Sequence, residues 1–92
     1  GGEEFVILTE VDADPLVLAE RVRARIASMG HDSNPAFTAS LGCALRRPGE
    51  ALDECFARAD EALYRAKAAG RNRVVDGARS LPEDAGMEAA GF

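Results

Sequence analysis

The chain begins Gly1-Gly2-Glu3-Glu4-Phe5, and these residue types at this spacing suit chemistry on phosphates. Two glycines let the backbone turn tightly and let a bulky anion approach the main chain without meeting a Cβ. Two acids follow, ahead of the apolar run Phe5-Val6-Ile7-Leu8. Carboxylates at the mouth of a strand, beside a glycine turn, offer hard oxygen ligands to Mg2+ and leave room for phosphates. The same pattern also describes an ordinary hairpin turn with a solvated acidic tip. A second group lies far along the chain. Between residues 56 and 75 the cations Arg58, Arg65, Lys67, Arg71 and Arg73 outnumber Asp60 and Glu61. A local basic cluster on an acidic chain suits a phosphate-bearing small molecule better than a polyanion. Cations near a helix C-terminus also favour the helix dipole by themselves. Lys67 and Arg71 are four positions apart, which on a continuous helix sets them about 40° apart on one face.

The elements that must hold these residues follow from periodicity. Residues 5–9 read as a buried strand. Asp14 and Pro15 predict a helix start, the acid as N-cap and the proline at the first helical position. Leu18, Val22, Ile26 and Met29 then recur at intervals of four, four and three, giving one apolar stripe, and Gly30 can end the helix in a left-handed conformation. Phe37, Ala39, Leu41 and Cys43 alternate with Thr38, Ser40, Gly42 and Ala44, the period of a strand. Gly42 inside it predicts a bulge or a close backbone approach. Arg46-Arg47-Pro48-Gly49 is the connecting turn. Leu52, Phe56, Ala59, Leu63 and Ala66 form the stripe of a second helix, flanked by Cys55 and Ala62 and ended by Gly70. Val74 and Val75 can form a short last strand. The order is β-α-β-α-β, with no internal repeat and no low-complexity segment.

Three segments together resemble the GGDEF domains, the diguanylate cyclases. They are the opening Gly-Gly-Glu-Glu-Phe, the strand at residues 37–44, and the run Ala59-Asp60-Glu61-Ala62-Leu63-Tyr64-Arg65-Ala66-Lys67-Ala68-Ala69-Gly70-Arg71-Asn72-Arg73-Val74. They occur in the family's order and cover roughly residues 1–76. The resemblance implies an α+β fold: a nucleotidyl-cyclase or polymerase-palm-like sheet with helices packed on it, present here as an incomplete β-α-β-α-β portion. Residues 1–76 then correspond to the C-terminal half of the domain, and residues 77–92 to a mobile tail. In the family a further strand, with a metal-binding aspartate, lies inside the sheet between strands present here. A piece without it is expected to expose strand edges and to be inactive alone.

The activity implied is condensation of two GTP molecules into cyclic di-GMP with Mg2+ (or Mn2+), across a homodimer in which each subunit presents one GTP. By the resemblance Glu3 is a metal ligand and general base, and Glu4 a metal ligand or its assistant. Strand alternation sends the two side chains to opposite faces unless the turn intervenes, so Glu4 can also be read as a solvated acid. Gly2, Lys67 and Arg71 would bind substrate, the last two on its β- and γ-phosphates. Arg21 matches an arginine that contacts inhibitory cyclic di-GMP in many cyclases, and reads equally well as a plain surface arginine. The other function class is a non-catalytic module of the same family that binds GTP or cyclic di-GMP and regulates a partner.

Composition sets the limits. Ninety-two residues allow one small domain, and the 47% hydrophobic, 29% charged balance is ordinary for a soluble chain. The net charge of −5 argues against general nucleic-acid binding. No apolar run approaches the ~20 residues of a membrane span, and no signal-peptide pattern opens the chain. A cytoplasmic setting is expected, without membrane contact from this segment, and a membrane anchor upstream in a parent protein stays open. Cys43 and Cys55 are not spaced as a redox or metal pair and read as buried thiols. His31 is the only histidine, in a loop with no nucleophile beside it, and no catalytic role is expected of it.

Overall fold

The computed structural model describes residues 2–10 and 12–77. The tail expected at residues 77–92 lies outside them, save for Gly77. The elements run β1 (Gly2–Thr9), α1 (Pro15–Gly30), β2 (Thr38–Leu45), α2 (Leu52–Ala68) and β3 (Val74–Asp76). This is the expected α+β order.

All three strands are parallel and lie in the order β1-β2-β3. Parallel neighbours need a long crossover, which α1 and α2 supply. β1 lies directly against β2 over eight residue pairs, from Gly2 with Thr38 to Thr9 with Leu45. The resemblance placed another strand between them. Here each satisfies the backbone groups of the other, leaving the outer edges of β1 and β3 open among the described residues.

α1 covers one face of the sheet, where Ala19, Ala39, Leu41 and Cys43 are fully buried and Ile7, Leu16, Val22, Ile26 and Val74 pack around them. It starts as the sequence predicts: the Asp14 side chain accepts from the Leu16 N–H at 2.9 Å, with Pro15 in the first turn. Its inner face is corrected, however. Pro15, Ala19, Val22 and Ile26 look inward, whereas Leu18 and Met29 are 42% and 61% exposed. The small Ala19 and not Leu18 sits at the centre, so the inward stripe is rotated by about 100°, one residue's turn, at that point.

α2 covers the other face, over Val6, Leu8 and Ala44. The stripe expected there is also corrected. Cys55, Ala59, Ala62 and Ala66 are fully buried, while Leu52 and Phe56 are 57% and 46% exposed at its edge. Gly42 explains the exchange: a Cβ there would overlap the Ala59 carbonyl and the backbone of Leu63. The strand and helix backbones meet so closely that only small side chains fit between them. Gly42 is thus the close approach, and β2 pairs through it in unbroken register with β1.

The β2–α2 turn is held by one compact ion pair. Arg58 donates from Nε and Nη2 to Glu50 at 2.9 and 2.8 Å, and from Nη2 to the Leu45 carbonyl at 2.7 Å. Glu50 also accepts from the Arg47 N–H at 2.9 Å. The Arg58 guanidinium, helped by that N–H, holds the Glu50 carboxyl down to about 2. Cys43 and Cys55 are buried and in no disulfide among the described residues, and burial pushes the Cys55 thiol up. No helix of the described residues is long and apolar enough to cross a membrane.

Candidate functional site

Alternation along β1 separates its two acids. Val6 and Leu8 pack with α2 and Ile7 with α1, so Glu4 takes the α2 face and Glu3 the α1 face. Both are exposed. Glu4 stands opposite Ser40 in the register, Glu3 opposite Ala39. The two adjacent carboxylates therefore do not converge on one point.

Glu4 instead meets the two cations singled out from the far end of the chain. Lys67 Nζ lies 3.1 Å from Glu4 Oε1 and Arg71 Nη1 lies 3.8 Å from Glu4 Oε2. Lys67 comes from the last turn of α2, on the face that covers β1. Arg71 lies beyond the helix end and is brought back by the way the helix stops. The Gly70 N–H donates to the Lys67 carbonyl at 3.3 Å and the Arg71 N–H to the Ala66 carbonyl at 2.9 Å. This is a Schellman turn, which needs a left-handed residue after the cap. Gly70 has φ 126°, a region that side chains disfavour.

Arg71 and Asn72 then follow with φ 64° and 49°, two consecutive non-glycine residues in left-handed backbone. Such conformations are held by their surroundings and concentrate at functional sites. Arg73 Nε donates to the Arg71 carbonyl at 3.1 Å, and the Leu41 N–H donates to the Arg73 carbonyl at 2.9 Å, fixing the turn to the sheet. From the other side Arg23 Nη1 donates to Asn72 Oδ1 at 2.8 Å. Arg23 is aimed by Glu20, to which it donates from Nε at 2.9 Å and Nη2 at 2.6 Å. The hydrogen bonds within that pair lower the Glu20 carboxyl and raise the Arg23 guanidinium.

Of the site residues expected from sequence, the structure brings together Glu4, Lys67 and Arg71 at the N-terminal end of β1, where Gly2 also lies. Among the described residues, an added Cβ on Gly2 would come nearest to the Thr38 carbonyl, at 3.5 Å. Glu3 stands on the opposite face of the sheet. Arg21 is exposed on α1, beside Glu20, and makes no ion pair with a described residue. Sequence reasoning missed Arg23 and Asn72. The asparagine in a glycine turn, a residue that tolerates left-handed backbone, was the available signal.

Among the described residues no three His, Cys, Asp or Glu side chains lie close enough to hold a metal ion. One carboxylate flanked by two cations does not bind Mg2+ alone. It fits the way Mg2+ sits on a polyphosphate, with one or two protein carboxylates, water and phosphate oxygens completing the shell. Of the two acids, Glu4 is the one that could take such a place, and Lys67 and Arg71 have the chemistry to meet phosphates, as a compact charge and a planar fork.

At the opposite end of the strands, Glu10, Arg46, Arg47, Pro48, Gly49, Glu50 and Ala51 line a depression of about 470 Å³. Arg46 there faces Glu10 at 3.3 Å and donates to the Glu50 carbonyl.

A family model described as diguanylate cyclase, GGDEF domain, matches residues 1–73. The chain is 49% identical over 78 residues to diguanylate cyclase DgcM of Escherichia coli, covering 82% of this chain and 19% of that protein. It is 45% identical over 80 residues to diguanylate cyclase DgcP of Pseudomonas aeruginosa, covering 80% and 12%. With the response regulator PleD of Caulobacter vibrioides it shares 39% identity over 83 residues, covering 82% and 18%. The chain thus spans less than a fifth of the length of each of these relatives. No solved structure matches it.

Proposed function

The chain belongs to the GGDEF family of diguanylate cyclases, and we propose that it supplies the triphosphate-binding part of a site that condenses two GTP molecules into cyclic di-GMP in second-messenger signalling. The observation that carries this reading is the grouping of Glu4 with Lys67 and Arg71, drawn from chain positions 63 and 67 residues apart. A structural ion pair alone would need one cation. Two cations on one carboxylate leave positive charge to spare for phosphate oxygens.

In this reading Lys67 and Arg71 take the β- and γ-phosphates, and Gly2, with no Cβ, lets the nucleotide approach the main chain. Mg2+, or Mn2+, when bound beside Glu4, supplies charge neutralisation of the triphosphate. The family resemblance gives Glu3 the role of taking the proton of the 3′-hydroxyl as its oxygen bonds to the α-phosphorus of the opposing GTP, and from the α1 face it does so apart from the Glu4 group. The bond from that phosphorus to the β-phosphate oxygen breaks, and pyrophosphate leaves. Two subunits facing each other carry out both attacks, so a homodimer is the catalytic form. Arg21, solvent-exposed on α1, is free to contact cyclic di-GMP as a product-inhibition residue. A cytoplasmic setting, where GTP is available, suits the reaction.

The second reading, a module that binds GTP or cyclic di-GMP without turning it over, has one observation in its favour: the described residues alone gather too few acids for a metal. The two are separated by incubating a complete GGDEF domain that carries this chain with GTP and Mg2+ and resolving the products chromatographically. Cyclic di-GMP that disappears with Glu3→Gln, with unchanged melting, supports the cyclase. GTP binding with no product supports the module.

A further inference from the structure

The left-handed pair Arg71 and Asn72 is held from α1 by a single side chain. Arg23 reaches across 49 residues of sequence to place Nη1 2.8 Å from Asn72 Oδ1. Its other two nitrogens are engaged by Glu20, so the guanidinium plane is fixed before it meets the turn. Its side chain is 21% exposed, enclosed enough for the geometry to be held. Asn72 adjoins Arg71, whose Nη1 faces Glu4. Both φ values are positive, and a pair of non-glycine residues there reverts readily unless restrained.

We infer that Arg23 is a positioning residue for the phosphate-binding site: through Asn72 it holds the turn in the conformation that aims Arg71 at the anion. The inference rests on the reading of Lys67 and Arg71 as phosphate ligands. Arg23 itself touches no phosphate. Its effect passes through Arg71 alone, because Lys67 is fixed by helix α2. Glu20 is the second member of the device, holding the fork in plane.

The test is a double-mutant cycle read by calorimetric binding of inorganic tripolyphosphate to the protein. Arg23→Ala should weaken binding by about fivefold, the worth of one hydrogen bond. Asn72→Gly, which accepts the positive φ but lacks the acceptor, should match it. In an Arg71→Ala background Arg23→Ala should have no further effect, a coupling that a merely structural tie would not give. Arg23→Ala that leaves affinity unchanged, or that adds fully to Arg71→Ala, overturns the inference while the phosphate reading stands. If Arg71→Ala and Lys67→Ala themselves leave tripolyphosphate binding unchanged, the phosphate reading falls and takes the inference with it.

Discussion

Lys67 Nζ sits 3.1 Å from Glu4 Oε1, so the cation expected to bind phosphate is neutralised by the acid expected to bind metal. Each side chain holds the other where its ligand would lie. With side chains 32% and 43% exposed, the pair is worth little to stability, on the order of 0–1 kcal/mol. Its consequence is competition. In the proposed reading an arriving polyphosphate competes with Glu4 for Lys67 and Arg71.

Glu4→Gln is therefore expected to tighten the binding of inorganic tripolyphosphate about threefold when no divalent metal is present. With Mg2+ added the order should reverse, because the variant has lost the charged oxygen ligand. Calorimetry with and without EDTA measures both arms. Equal affinities in both conditions would make the ion pair incidental.

Stability at low pH should report on Glu50 and Arg58. The folded Glu50 carboxyl titrates at about 2, below its unfolded value. A depressed carboxyl contributes stability above the unfolded pKa of about 4.3, and loses it as pH falls towards the folded one. Melting temperature should drop between about pH 4.5 and pH 2, and Glu50→Gln should flatten that slope. A slope unchanged in the variant would assign the acid sensitivity elsewhere.

Gly42→Ala should cost about 1–3 kcal/mol, because the added methyl meets backbone on α2 and no side chain can turn aside. Denaturant unfolding gives the value. A loss below about 0.5 kcal/mol would mean that β2 and α2 part easily.

How much of this was legible differs between local and distant features. The Asp14 cap, the Pro15 start and the Gly70 stop are encoded within a few residues of where they act, and each stands where the sequence placed it. The inner faces of both helices were legible in part: Val22, Ile26, Ala59 and Ala66 face inward as expected, whereas the large apolar Leu18, Leu52 and Phe56 do not. On α2 the burial depends on what lies opposite, and Gly42 on another element brings the backbone too close for a large residue. Direct pairing of β1 with β2 was not legible either, since strand partners are chosen by tertiary context. At the site, the grouping of Lys67 with Arg71 was readable from spacing and the glycine turn. That Glu4 joins them, on the face away from Glu3, follows from strand alternation once α2 is known to lie on that side. The link from Arg23 to Asn72 spans two helices' worth of chain and left no local signal beyond the asparagine.

The central claim is that Lys67 and Arg71 form one phosphate-binding unit, and GTP binding by the double variant Lys67→Ala, Arg71→Ala measures it most directly. Each charged contact contributes ~1.5–3 kcal/mol, so affinity should fall by roughly tenfold or more. The melting temperature should stay within a few degrees, because both side chains are partly exposed and contribute little to the fold. Unchanged GTP affinity with a lowered melting temperature would contradict the account, and would leave the two cations serving only the end of α2.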